Sequence, residues 1–248
     1  MKRLVIVLAM LCPLGIITLQ AQKNSFFIGG HAGVNSSKFK FTQDLSELYP
    51  ISSGKFGLNG GFNMGLEIHN FTLTTGIEYV QKGGEYQTTN FEDEQGIGFY
   101  TASEKWHVLS IPILVGYRKY FGDKFGVSLA IGPSINIGVS GKMDEETSYF
   151  GEEQGDKTNY QVNFGSDIND DYRATQPGFR ISPSLIFLLN DKSKLTFNVT
   201  WDSGTKDSYN PRYKAANEFF EQNKGLQLTR STLFTIGYEH HFTFNDKY

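Results

Sequence analysis

The chain has 248 residues and a formal net charge of −3, with 15% aromatic residues, 27 glycines, 7 prolines and one cysteine. The slightly acidic balance gives no support to nucleic-acid binding, and a lone thiol excludes internal disulfides and multi-cysteine metal sites. Beyond the N-terminal segment no apolar run is long enough for a membrane helix, so a single strand-built domain is expected.

At the N-terminus, Lys2 and Arg3 precede an apolar run from Leu4 to about Leu19 that Ala21 closes. This pattern reads as a secretory signal peptide over 1–21, cleaved after Ala21. The run is short for a spanning helix, and polar Lys23, Asn24 and Ser25 follow at once, which disfavours an N-terminal anchor. Cys12 is not a lipidation site, because the preceding Leu11 is too large and the apolar run continues past it. Without Lys2 and Arg3 the mature chain keeps 21 basic residues against 26 acidic, a formal charge of −5, and has no cysteine.

Alternation with a period of two residues then recurs to the end of the chain. Strands are predicted at 25–35, 55–69, 71–86, 105–120, 125–142, 173–189, 194–206 and 229–244. In the second, Phe56, Leu58, Phe62, Met64, Leu66 and Ile68 share one face. The fifth is the clearest, with Phe125, Val127, Leu129, Ile131, Ile135, Ile137 and Val139 opposite Gly126, Ser128, Ala130, Gly132, Ser134, Asn136 and Gly138. The fourth and sixth alternate less cleanly, since Leu114, Ile186 and Leu188 fall on the polar parity.

The connections alternate in length. His69 and Asn70, Phe121 to Lys124, and Asn190 to Lys194 form tight turns, whereas the other four gaps are long and polar. Short turns on one side and long loops on the other mark an outer-membrane barrel, with the long loops outside the cell. The mature chain, 22–248, is therefore expected to be an all-β, eight-stranded antiparallel up-and-down transmembrane β-barrel with short periplasmic turns and four long extracellular loops.

A soluble ligand-carrying barrel would show the same periodicity with its apolar face inward. The membrane arrangement is favoured by strand length and by a polar face that mixes glycines with charges. It is also favoured by two levels of aromatics: Phe71, Phe125, Phe187, Phe242 and Phe244 near the short turns, and Tyr79, Trp106 and Trp201 towards the long loops.

Several segments carry a resemblance to a known family: Phe26-Phe27-Ile28-Gly29-Gly30-His31-Ala32-Gly33, Leu109-Ser110-Ile111-Pro112-Ile113-Leu114-Val115-Gly116-Tyr117, Ala130-Ile131-Gly132-Pro133-Ser134 and Thr235-Ile236-Gly237-Tyr238-Glu239-His240-His241-Phe242. The chain resembles the porin-like or PorT-like outer-membrane β-barrel proteins, which share the architecture of the small OmpA-type barrels. The resemblance implies a Gram-negative outer-membrane location, lipid contact and recognition by the barrel assembly machinery, and supplies no catalytic residues. It departs at 245–248, which extend past the aromatic pair Phe242 and Phe244. The terminal strand signal therefore ends at that pair or at Tyr248.

Polar parity turns Glu67, Glu78, Arg118, Arg180, Asp202 and Glu239 into the lumen. Arg180 and Asp202 fall at one level, while Glu67, Arg118 and Glu239 fall near the periplasmic end. Ion-paired plugs are the expectation, because an unpartnered buried charge costs several kcal/mol; a proton or ion relay is the alternative. The third long loop, 143–172, carries Asp144, Glu145, Glu146, Glu152, Glu153, Asp156, Asp167, Asp170 and Asp171 against Lys157 alone. It reads as a solvated acidic loop, or as a contact site or cation bridge, and its spacing fits no calcium loop.

His240 and His241 are adjacent in a strand and point to opposite faces, and His31, His69 and His107 are isolated, so no metal site is expected. Asp170, Asp171, Ser203 and Asp207 near the rim form no nucleophile and base pair of defensible spacing, and no phosphate loop is present, so neither an enzyme nor a cofactor is expected. A short helix is expected within 214–223. The leading role is structural or surface interaction, with an extracellular or envelope protein as partner through the loops. The alternatives are a narrow porin-like channel for small solutes and an accessory part in secretion or envelope assembly.

Overall fold

The computed structural model describes residues 24–93, 96–150 and 155–244. The expected signal peptide at 1–21 and the extension at 245–248 lie outside the described residues. Eight strands form the ring: β1 (Ser25–Phe41), β2 (Ile51–Ile68), β3 (Phe71–Gln87), β4 (Gly96–Phe121), β5 (Phe125–Tyr149), β6 (Thr175–Asn190), β7 (Ser193–Gly204) and β8 (Gln227–Thr243). Each pairs antiparallel with the next, and β8 returns to β1 with Ser25 opposite Thr243 and Phe41 opposite Gln227, which closes the sheet. Closure removes every free edge within the membrane, the condition for strands to cross lipid.

The turns at one end are tight. His69 and Gly122 take the left-handed conformation there, with φ of 57° and 65°. At the other end the strands run on beyond their expected limits: β4 begins at Gly96 rather than 105, and β5 continues to Tyr149 rather than 142. Short helices α1 (Asp44–Leu48), α2 (Pro211–Ala216) and α3 (Glu218–Gln222) sit in the long connections. Asn210 and Asn217 cap the last two by accepting hydrogen bonds from the Arg212 and Phe219 amides.

The expectation of a loop over 143–172 is corrected. Residues Asp156–Val162 form a strand that pairs with the outer part of β5, from Gly141 opposite Val162 to Thr147 opposite Asp156. Asp144, Glu145, Glu146 and Asp156 therefore stand on a hairpin. It forms because Met143, Thr147, Tyr160 and Val162 supply strand-favouring residues between the acids, and Val162 is buried.

Around the ring the outward apolar side chains lie bare, Phe56 at 85% and Phe62 at 79% exposure, while Asn35, Ser110, Asn136, Arg180 and Asp202 are buried inside. This inside-out distribution fits a lipid solvent. Paired rings mark the turn end of the outward face, with Phe71 and Tyr117 5.4 Å apart and Phe125 and Phe187 5.9 Å apart. Tyr79 and Trp201 mark the other end.

Above that level the pattern reverses without any change of parity. In β4 the outward residues Leu109, Ile113, Val115 and Tyr117 give way to exposed Lys105 and half-exposed His107, Ser103 and Thr101, while Val108, Trp106 and Ala102 turn inward and are buried. The outer part of β4 thus stands clear of the lipid. Trp106, expected in the outward girdle, is 0% exposed and faces inward. Its even-numbered parity keeps it on the lumen side, and at that height the lumen side is apolar.

Candidate functional site

The interior contains three stacked features. The lowest gathers Glu67 from β2, Arg118 from β4, Lys194 from β7 and Glu239 from β8. Arg118 donates to Glu239 through both terminal nitrogens, at 2.7 and 2.8 Å, and to Glu67 at 3.1 Å. Lys194 Nζ lies 3.0 Å from Glu67, and the Tyr120 hydroxyl donates to the same carboxylate at 2.8 Å. His241 Nε2 meets Glu239 at 3.2 Å while its Nδ1 meets the Ser25 hydroxyl at 3.0 Å. The Arg118 guanidinium also lies 4.8 Å from the centre of the buried Phe27 ring. Two cations face two carboxylates, so the layer is charge-balanced.

The second layer repeats this balance one level higher. Arg180 from β6 bridges Glu78 from β3 and Asp202 from β7, the latter at 3.6 Å, and donates to the Ser110 hydroxyl at 2.8 Å. Lys82 Nζ donates to Asp202 at 2.8 Å and to Asn136 at 3.2 Å, and His31 Nε2 lies 3.1 Å from Glu78. Gly178 makes the close approach possible: a Cβ there would stand 2.7 Å from Ser134 Oγ and 3.0 Å from Asp202 Oδ1. A cavity of about 90 Å³ separates the layers, walled by small polar residues such as Thr72, Ser128, Ser182 and Thr196, with Arg118 and Arg180 at its limits.

The six residues assigned to the lumen from parity thus fall into these two layers. Lys82, Lys194, His31, Tyr120 and His241 belong to them as well. Lys82 shares its parity with Glu78 and His241 with Glu239, so alternation carried the signal for both. Lys194 lies next to the turn, where a lysine reads as solvated.

The third feature is a cap above the membrane band, with an aromatic core of its own. Phe39, Phe41, Tyr86, Trp106, Tyr172, Tyr209 and Phe220 are buried together. Trp106 lies 4.8 Å from Phe39 and 4.5 Å from Tyr172 between ring centres, and Tyr209 lies 5.2 Å from Tyr172 and 4.7 Å from Phe220. Inside this core Glu104 is fully buried. The Tyr86 and Tyr172 hydroxyls donate to its Oε1 at 2.6 and 2.8 Å, and Trp106 Nε1 donates to Oε2 at 2.7 Å. Burial pushes the Glu104 carboxyl up to about 7, against these three bonds, which favour its charged form.

Over the aromatic floor opens a cavity of about 200 Å³. Glu145 stands at its side, accepting hydrogen bonds from the hydroxyls of Tyr100 and of Tyr160, the latter at 2.7 Å.

The remaining acids of 143–172 do not converge. Glu146 meets exposed Lys157 at 3.5 Å, Asp170 accepts from the Asp167 amide at 2.7 Å, and Asp171 accepts from the Asn163 amide at 2.9 Å. Asp144 and Asp156 are exposed, and Glu152 and Glu153 lie outside the described residues. Among the described residues no group of three or more acidic, His or Cys side chains is arranged to hold a metal ion. At the rim, Asp207 is engaged by Lys214 at 2.8 Å and by the Gln227 and Tyr209 amides.

A family model described as outer membrane protein beta-barrel domain matches residues 20–173. No curated protein matches the chain. Among solved structures, Neisserial surface protein A is 10% identical, with a TM-score of 0.44, over 89% of this chain and all of that one. The attachment invasion locus protein Ail of Yersinia pestis, solved with the heparin analogue sucrose octasulfate, is 9% identical with a TM-score of 0.36, over 89% of this chain and all of that one. OprG of Pseudomonas aeruginosa is 11% identical with a TM-score of 0.38, over 90% and 97%. These likenesses are too slight to transfer any property.

Proposed function

The chain belongs to the outer membrane protein β-barrel family and resides in the bacterial outer membrane, and from that premise we propose that it is a closed barrel whose work is done by its extracellular cap. The observation that carries this reading is the pair of charge-balanced layers, Arg118 with Glu67 and Glu239, and Arg180 with Glu78 and Asp202, which span the lumen at two heights. An ion entering from either end meets cations and carboxylates already paired with one another, and displacing them costs several kcal/mol per buried charge. Transport is thereby disfavoured, and the ordered cap is the part of the molecule that meets the outside.

The role is one of structure and surface interaction, exercised from a lipid-anchored shell. Capture of envelope and extracellular proteins on immobilised wild type, compared with a chain lacking 145–170, tests it. Loss of the captured partner on deletion is expected. Equal recovery from both chains contradicts a contact role for the hairpin. The second reading, a narrow channel for small solutes, draws on the cavity of about 90 Å³ between the layers; it requires both layers to part at once.

A further inference from the structure

We propose that the tyrosine-lined cavity of the cap is a binding site for a small organic cation, an alkylammonium or quaternary ammonium ion. The inference goes beyond the closed-barrel reading and stands whether or not the lumen conducts. Seven of the chain's 13 tyrosines line this one cavity, together with Phe219 and Phe220, and its lining contains no lysine or arginine. Tyrosine rings present a negative face to a cation held within about 6 Å of their centres.

The two lining carboxylates, Glu145 and Asp171, give the cavity its sign. Glu104 lies behind the floor, held by the hydroxyls of the lining residues Tyr86 and Tyr172. Tyr100 and Tyr160 likewise donate to Glu145. Four tyrosines thus direct their hydroxyls at acids, which leaves their rings richer in electrons. Among the described residues none of these three acids has a basic partner. Elsewhere in this barrel buried carboxylates are matched by arginine or lysine. A bound cation would supply here the partner the chain does not.

The same wall already engages an ammonium on another side. Lys214 Nζ lies 5.4 Å from the Phe220 ring centre and 5.9 Å from that of Tyr209, held there by Asp207. The size of the cavity, about 200 Å³, is below the roughly 300–1,000 Å³ of sites for drug-sized ligands and suits an ion of a few heavy atoms. A divalent metal is a poorer fit, because hard cations take six or more oxygens and the wall between these acids is aromatic. Tyr160 and Phe219, the exposed members of the lining, stand at the mouth.

The test is titration calorimetry of the full mature chain in an alkylglucoside detergent, which carries no ammonium group. The probes are choline, its uncharged isostere 3,3-dimethylbutan-1-ol, and phosphocholine. Choline is expected to bind at one site at least about tenfold more tightly than the isostere. Glu145→Gln and Tyr160→Ala are each expected to weaken choline while leaving the heat-modifiable gel migration of the folded barrel unchanged. Tyr160 is exposed, so that variant keeps the test open if Glu145→Gln fails to fold. Phosphocholine binding as tightly as choline would assign the site to a headgroup, and weaker binding to the free ion. Equal affinity for choline and the isostere, no choline heat at millimolar concentration, or unchanged affinity in both folded variants overturns the proposal.

Discussion

Arg118 grips Glu239 with both terminal guanidinium nitrogens, at 2.7 and 2.8 Å, from 121 positions away in the chain. The bidentate geometry ties β4 to β8 across the lumen, and Glu67 and Lys194 complete the layer. Arg118→Met leaves two buried carboxylates with Lys194 as their one remaining full-time cation. Urea unfolding in lipid vesicles should show a loss of about 3–5 kcal/mol, and the double variant Arg118→Met/Glu239→Gln should recover part of it. Additive losses would show that the two groups do not depend on each other.

Gly65 leaves room for the Phe27 ring that lies under Arg118. A Cβ at this position would stand 2.4 Å from the Leu73 carbonyl oxygen and 2.6 Å from the tip of that ring. Gly65→Ala should cost on the order of 1–3 kcal/mol by overpacking, read in the same unfolding experiment. Gly96, whose surroundings are open, has a positive φ of 127° and serves as the control for a purely conformational cost.

Glu104 makes the cap sensitive to pH. Its carboxyl sits at about 7 in the folded protein against an ordinary 4.5. A raised acid favours the folded state fully below about 4.5, and that contribution is lost as pH rises through about 7. The shift corresponds to stability on the order of 3 kcal/mol. Hydrogen exchange at the Tyr86 and Tyr172 amides should therefore quicken between pH 5 and 8, by more than the chemical exchange rate explains, and Glu104→Gln should remove the excess. A pH-independent excess in wild type would contradict the role given to burial.

Removing 145–170 takes Val162 and Phe164 from the cap core, including the edge-on contact of Phe164 with Trp106 at 5.4 Å. In a Trp201→Phe background, where Trp106 is the remaining tryptophan, acrylamide quenching should rise markedly on deletion. Heat-modifiable migration should persist, because the pairing within the membrane band is untouched. Loss of that migration would mean that the cap and the barrel fold as one unit.

Much of the barrel was legible in single residues. In β5 the run from Phe125 to Val139 alternates without a break because one face meets lipid and the other a packed lumen. The same rule placed Glu67, Glu78, Arg118, Arg180, Asp202 and Glu239 inside. The outward-girdle reading failed at Trp106, whose parity matches inward Arg118, because alternation records which residues share a face and does not record what that face meets. Once β4 leaves the membrane, the inward face becomes apolar and the outward one polar. The cap was illegible for a related reason. Phe39, Tyr86 and Trp106 stand at the outer ends of three separate strands and Tyr172 and Tyr209 in two separate connections, and they meet only through the closed ring, so nothing in the local pattern of any one of them marks a shared core. Glu104 gave no sign of burial, since its partners are far apart in the chain apart from Trp106.

The central claim, a lumen closed by two ion-paired layers, is tested most directly by planar-bilayer recording of the wild-type barrel. The structure predicts no sustained conductance at moderate voltage and measurable openings when both layers are broken in Arg118→Ala/Arg180→Ala. Sustained, stepwise openings of the wild type would contradict it.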